Sequence, residues 1–280
     1  MNVLELSLIV WTGSLAAGFL GALSGLGGGV VVIPMLTLLL GVDIRYAAGA
    51  ALISVIATSS GAASAYVREG YSNLRVGMLL EVATTVGAIA GATLAAHVAG
   101  GSIAVVFGVV LISSAAFSLR RHVEPTGREP ADPLAVRLRL DGAYPTPEGP
   151  QHYHVHRVPV GFALMFVAGT LSGLLGIGSG AVKVLALDSA MRLPFKVSTT
   201  TSNFMIGVTA AASAGVYLRH GYIDPGLTMP VMLGVLMGSL AGARALTRLD
   251  SGALRRVFVV LIVALGAQMI WSGLTGLGKP

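Results

Sequence analysis

The chain has 280 residues, of which 54% are hydrophobic and 11% charged, with a mean hydropathy of +0.82. A soluble domain carries about 25% charged residues, so that class is excluded. There is no cysteine, which removes disulfides, thiolate metal sites and thiol catalysis, and the net charge of +6 is spread over short loops, where it sets topology rather than binding nucleic acid.

The first apolar run, 4–24, has Glu5 and no basic residue ahead of its core, so it reads as a retained helix and not as a signal peptide. It ends in Ser24, Gly25, Gly27, Gly28 and Gly29, and a short apolar run follows at 30–40. Longer runs lie near 46–67, 75–97 and 102–119. A helix rising ~1.5 Å per residue needs about 20 residues to cross ~30 Å of hydrocarbon, so the long runs are predicted to span a bilayer and the short one is not long enough.

The same series recurs at 158–175, 181–191, 197–218, 225–247 and 253–273. "GLGGG" at Gly25 falls on "GIGSG" at Gly176, and "YVREGY" at Tyr66 on "YLRHGY" at Tyr217, an offset of 151 in both cases. Two homologous five-segment halves follow. If the short segments cross even in part, each half crosses an odd number of times and the halves are inverted. With the N-terminus outside, Arg68, Arg75, Arg120, Arg121, Arg128, Arg137, Arg139, Arg157, Arg192, Lys196, Arg244, Arg248, Arg255 and Arg256 collect on one side, and only Arg45, Arg219 and Lys279 on the other. That asymmetry places the first group in the cytoplasm. The fold class expected is an all-α polytopic membrane protein of two inverted five-helix repeats with short broken or re-entrant helices: 1–119, a polar cytoplasmic linker 120–157, and 158–280. A bacterial inner membrane is the expected location.

In the linker, "AVRLRLDGAY" and "QHYHVHRV" alternate with a period of two and predict a β-hairpin with "TPEGP" as its loop. His152, His154 and His156 would share one face of the second strand. A solvated face is the favoured reading over a metal site, because no acidic or thiol ligands accompany them.

Short Gly-interrupted apolar segments at matching positions of two halves point to a transporter's binding site. Glycine leaves backbone N–H groups accessible, and the helix start that follows carries partial positive charge. Ser24, Gly25, Gly27, Gly28 and Gly29 in the first half, and Gly176, Gly178, Ser179 and Gly180 in the second, are therefore candidate anion-binding residues, the competing reading being close helix packing. Lys183 sits three residues past Gly180 where the first half has Val32. A lysine inside the membrane marks a functional site by default, against the alternatives of snorkelling or a pair with Asp188. Thr199, Thr200, Thr201, Ser202 and Asn203 offer hydroxyls and an amide at the next helix start. Glu81 either carries a coupling proton or is an interfacial carboxylate near Arg75, the second being favoured.

The doubled pattern in "GALSGLGGGVVVIPMLTLLLGVDIRYAAGAAL" and "GLLGIGSGAVKVLALDSAMRLPFKVSTTTSN" resembles the sulfite exporter TauE/SafE family of membrane permeases, over nearly the whole chain except the linker. The resemblance implies a transporter for sulfur-containing oxyanions such as sulfite or organosulfonates, often outward from bacterial cells. The second half departs from the first in Ser179, Lys183 and Asp188, which points to one half holding most of the anion contacts. No G-x-x-x-x-G-K-[ST] loop is present, so neither ATP use nor any cofactor is expected. The expected partners are a small anion and the lipid bilayer, with a homodimer left open. Other small anions and metal cations remain as alternative cargoes. An intramembrane hydrolase using Ser179 is disfavoured, because no histidine lies inside a helix to serve as its base.

Overall fold

The structure, a computed structural model, describes residues 3–24, 29–68, 70–119, 132–146, 149–178, 180–246 and 251–275. It is all-helical but for one small hairpin. The first half comprises α1 (Val3–Ser24), the six-residue α2 (Gly29–Pro34) continued by a π-helical turn (Met35–Leu39), α3 (Ile44–Arg68), α4 (Leu74–His97) and α5 (Gly100–Leu119). A short α6 (Pro133–Arg137) and the antiparallel strands β1 (Gly142–Thr146) and β2 (Gly149–Tyr153) follow. The second half repeats the first: α7 (Val158–Leu175), α8 (Gly180–Leu185) with its own π-helical turn (Ala186–Ala190), α9 (Phe195–Arg219), α10 (Pro225–Leu246) and α11 (Ser251–Thr275). Both short helices and both π turns recur at the offset of 151, as do the bounds of α3 and α9.

The helices are turned outward in their apolarity. On α4, Met78, Val82, Val86 and Ile89 recur at helical spacing and are exposed, while Gly77, Ala83, Thr84, Gly87, Ala88 and Gly91 are buried on the opposite face. An apolar outer stripe over a small-residue inner one suits lipid outside and close helix contact inside. Among the described residues, α4, α7 and the stretch Pro225–Gly242 of α10 are each long and apolar enough to cross a membrane.

Close contacts give the direction of each pair. Gly169 meets Thr84 and Gly173 meets Ala88, so α7 runs parallel to α4; Gly234 meets Trp11 and Gly238 meets Leu15, so α10 runs parallel to α1. The equivalent helices of the two halves instead pack antiparallel. Gly101 of α5 lies on Gly273 of α11 and Gly108 on Gly266, while Gly207 of α9 faces Ser59 of α3 and Gly49 faces Tyr222.

The α4–α9 contact is parallel, through Asn73 with Thr201 and Glu81 with Thr209, so α7 and α9 run the same way and the chain between them has to return. α8 and its π turn make that return. They start beside Ser202 and Ile206, midway along α9, and end where Met191 packs on Gly161 near the start of α7. Eleven residues rise about 16 Å, half a bilayer.

The linker is partly as expected. β1 and β2 form the hairpin, but "AVRLRL" is not its first strand: Asp132 accepts from the Leu134 N–H and Pro133 takes the first turn, so α6 begins there. A capped start outweighs alternation over so short a run. His154 and His156 lie beyond β2, His154 against Asp141 at 3.0 Å while the His156 N–H donates to the Met191 carbonyl, so the three histidines share no strand face. Among the described residues no cluster of three metal-ligating side chains occurs.

The hairpin docks on the α3–α4 loop. Asn73 Nδ2 donates to the Leu140 carbonyl and to the Tyr153 hydroxyl, and Arg75 donates to the Arg139 carbonyl. Burial pushes the Tyr153 phenol up to about 12, which keeps it neutral as an acceptor. Two matched cation–aromatic contacts lie at helix ends: Arg45 over the Tyr222 ring and, with the cation 151 residues later and the ring 151 residues earlier, Lys196 over the Tyr71 ring.

A Cβ at Gly173 would overlap the Ala88 carbonyl, and backbone cannot yield as a side-chain tip can. Gly173→Leu is therefore expected to cost about 3 kcal/mol or more by overpacking, read as a lost monodisperse peak and a lowered Tm in detergent, while Gly215→Ala, which meets nothing, leaves both unchanged.

Candidate functional site

The break between α7 and α8 is built by Gly176 and Gly178, with φ of +73° and +71°. Residues with a Cβ rarely adopt that conformation, and two such turns carry the chain from the end of α7 to mid-depth. Gly29, which opens α2, lies against the Gly176 carbonyl and Val55, and Gly178 packs on Val55 and Ile206. The start of α2 therefore meets the break between α7 and α8. Ser202 Oγ donates to the Gly180 carbonyl at 3.3 Å and ties the start of α8 to α9.

One turn further on, Lys183 is fully buried, and its Nζ donates to Thr209 Oγ1 of α9 at 2.5 Å. Thr209 Oγ1 in turn lies 2.7 Å from Glu81 Oε1 of α4 and 2.9 Å from the Met205 carbonyl. Thr85 also donates to Glu81 Oε1 at 3.3 Å, whereas Glu81 Oε2 is buried and has no hydrogen-bond partner among the described residues. An ammonium has three N–H groups; among the described residues Nζ meets one acceptor. The arrangement is a cation beside the broken loop, held by a neutral hydroxyl, with a carboxylate one bond behind.

Glu81 is thus not an interfacial partner of Arg75. It is 8% exposed and turned inward, and Arg75 bonds the Arg139 carbonyl instead. Lys183 is thus bonded to the Thr209 hydroxyl of α9. Neither Thr209 nor the depth of Glu81 is read from sequence. The available signal was that α4 and α8 each place one opposite charge within an apolar run, and such charges pair.

The hydroxyl run divides by task. Thr199 Oγ1 returns to its own helix at the Phe195 and Lys196 carbonyls. Thr200 donates to the Tyr71 carbonyl and Thr201 accepts from the Asn73 N–H, so these two hold the α3–α4 loop. Ser202 reaches Gly180, and Asn203 is half-buried on the same helix. Ser24 ends α1, while Gly25, Gly27, Gly28 and Ser179 lie outside the described residues.

Thr209→Val leaves Lys183 and Glu81 buried without their shared hydroxyl, at a cost of about 1–3 kcal/mol. The expected result is a Tm lowered in detergent and restored by Thr209→Ser; equal Tm values for the valine and serine forms would show that the bridge is not made.

A family model described as "Sulfite exporter TauE/SafE" matches residues 10–269. The chain is 26% identical over 268 residues to "Probable membrane transporter protein YunE" of Bacillus subtilis (strain 168), covering 93% of this chain and 96% of that one. It is 26% identical over 275 residues to a "Probable membrane transporter protein" of Xylella fastidiosa (strain 9a5c), covering 97% of each. It is 23% identical over 257 residues to "Probable membrane transporter protein ORF9" of Sinorhizobium sp, covering 91% and 88%. No solved structure matches the chain.

Proposed function

We propose, from the premise that this chain belongs to the sulfite exporter TauE/SafE family and is a membrane transporter, that it exports a small sulfur oxyanion such as sulfite or an organosulfonate by alternating access. The observation that carries the reading is Lys183. A lysine at the centre of a membrane helix costs about 3 kcal/mol, a cost that a transport site offsets by giving an anion a charge to meet in a dry place. The broken loop at Gly176, Gly178 and Gly180, opposite Gly29, adds backbone N–H groups beside it. The family description supplies the sulfur; the relatives' names specify no substrate.

The mechanism rests on two halves that exchange roles. Antiparallel packing of α5 on α11 and of α3 on α9 supports a two-fold relation with its axis in the plane of the membrane, and hence inverted repeats at 1–119 and 158–280 with the linker 120–157 in the cytoplasm. In such a pair, the inward-open and outward-open states are built from the same contacts with the halves interchanged. The cation–aromatic contacts at Arg45 and Lys196 then lie at opposite ends, one to be opened while the other holds. The location that goes with this reading is the bacterial inner membrane.

Lys183→Met removes a charge-assisted bond of about 1.5–3 kcal/mol, so the apparent affinity for the transported anion is expected to fall about 10- to 150-fold in proteoliposomes. Full transport by this variant ends the assignment. A binding panel of sulfite, sulfate, thiosulfate, taurine and sulfoacetate on purified protein tests the substrate class. Since the chain has no cysteine, each introduced cysteine is a unique label. His154→Cys is expected to react with an impermeant maleimide only from the cytoplasmic side and His220→Cys only from outside; labelling of both from one side overturns the inverted topology.

A further inference from the structure

We infer that Glu81 is a proton-binding site, and that one proton moves with each monovalent anion in the same direction. The inference rests on the reading of Lys183 as the anion's counter-charge. Three observations lead to it. Glu81 Oε2 is buried and, among the described residues, without a hydrogen-bond partner, a costly state for a charged carboxylate and a less costly one once a proton on Oε1 neutralises the group. The carboxylate is joined to Lys183 through a single hydroxyl, so whatever changes the charge at Lys183 is felt at Glu81. The surroundings contain little else that is ionisable.

α7, which packs on α4, has no ionisable side chain from Val158 to Leu175, and the charged residues of α9, Lys196 and Arg219, lie at its two ends. On α4 itself Arg75 and His97 are terminal, and Asp188 lies in the π turn five residues beyond Lys183. The charge that faces Glu81 is that of Lys183.

The Thr209 hydroxyl makes two protonation states compatible with one set of positions. It has one hydrogen and two lone pairs. With Glu81 ionised, Thr209 accepts from Lys183 and donates to Oε1. With Glu81 protonated, the acid donates to Thr209, which still accepts from Lys183 and turns its own hydrogen to the Met205 carbonyl, 2.9 Å away. Neither state leaves the bridge broken, so gaining or losing the proton requires no rearrangement of heavy atoms.

Charge then dictates the stoichiometry. The empty site holds one ammonium and one carboxylate and is neutral. A monovalent anion that takes the Lys183 ammonium leaves the site at one negative charge, which is costly in a dry interior. A proton from water bound to Glu81 returns the loaded site to neutrality, and both are released on the far side. The empty site, neutral again, returns.

The test uses the full chain in vesicles under a one-unit pH gradient, with methanesulfonate, isethionate, chloride and nitrate as probes. The two sulfonates stay singly charged, so a proton that moves with them is carried by the protein. Wild type is expected to accumulate its anion about tenfold, the equivalent of one unit at one proton per charge. Glu81→Gln leaves the lysine unbalanced when empty, so it exchanges anion for anion but accumulates none. Accumulation by Glu81→Gln equal to wild type, or wild-type flux that ignores the gradient, overturns the inference. Movement of chloride or nitrate alone ends the sulfur assignment and leaves the coupling ratio measurable.

If none of the four moves, or if Glu81→Gln does not fold, infrared spectroscopy decides. For the first case, the band of a protonated carboxylic acid that titrates in wild type and vanishes in Glu81→Gln supports the site. For the second, the same band appearing in wild type on addition of anion does so. A wild-type spectrum without that band overturns it.

Discussion

A full charge inside apolar helices has to be balanced, and most of what is distinctive here can be traced to that requirement at Lys183. The ammonium is placed by α8, the hydroxyl that receives it by α9, and the carboxylate behind that hydroxyl by α4. α8 cannot shift against α4 without separating opposite charges in a poorly screening medium, and a shift of α9 takes away the hydroxyl that joins them. The glycine break serves the same end. An uninterrupted helix from α7 onward would carry Lys183 past the centre of the bundle, whereas the two left-handed turns at Gly176 and Gly178 return α8 alongside α9, within reach of Thr209.

The parts of the fold that depend on local pattern were legible in the chain. Hydropathy located the ten apolar segments, and the 151-residue repeat identified the two short ones as equivalents. Each of those proves to be a six-residue helix with a five-residue π turn, a helix form often found at functional sites. The glycine break at Gly176 and Gly178 and the buried Lys183 were legible for the same reason, since both interrupt the apolar run that contains them.

What pattern could not supply was partner choice across the chain. Glu81 meets Thr209 at a separation of 128 residues, and Thr200 meets Tyr71 at 129. The hydroxyl run looked like a single group facing one ligand, yet its members point around a helix: Thr199 bonds its own turn, Thr200 and Thr201 hold a neighbouring loop, and Ser202 ties down α8. Depth was hidden for the same reason. Six residues into a helix is an interfacial position only if no loop or hairpin lies over its start, and Asn73, Leu140 and Tyr153 cover the start of α4.

The docked hairpin has a consequence for the balance between the two ends. A fused pair of equivalent halves needs one connecting segment, and that segment can rest against one end only. Here it binds the α3–α4 loop through Asn73 and Arg75, while the matching loop at Tyr222 has no such cover among the described residues. Two separate copies meeting about a two-fold axis would have degenerate conformers with equal populations at rest. In the alternating-access cycle proposed above, joining them in one polypeptide lifts that degeneracy: each hydrogen bond from the hairpin weights one conformer over its two-fold counterpart, so the covalent connection is itself a bias on that proposed cycle.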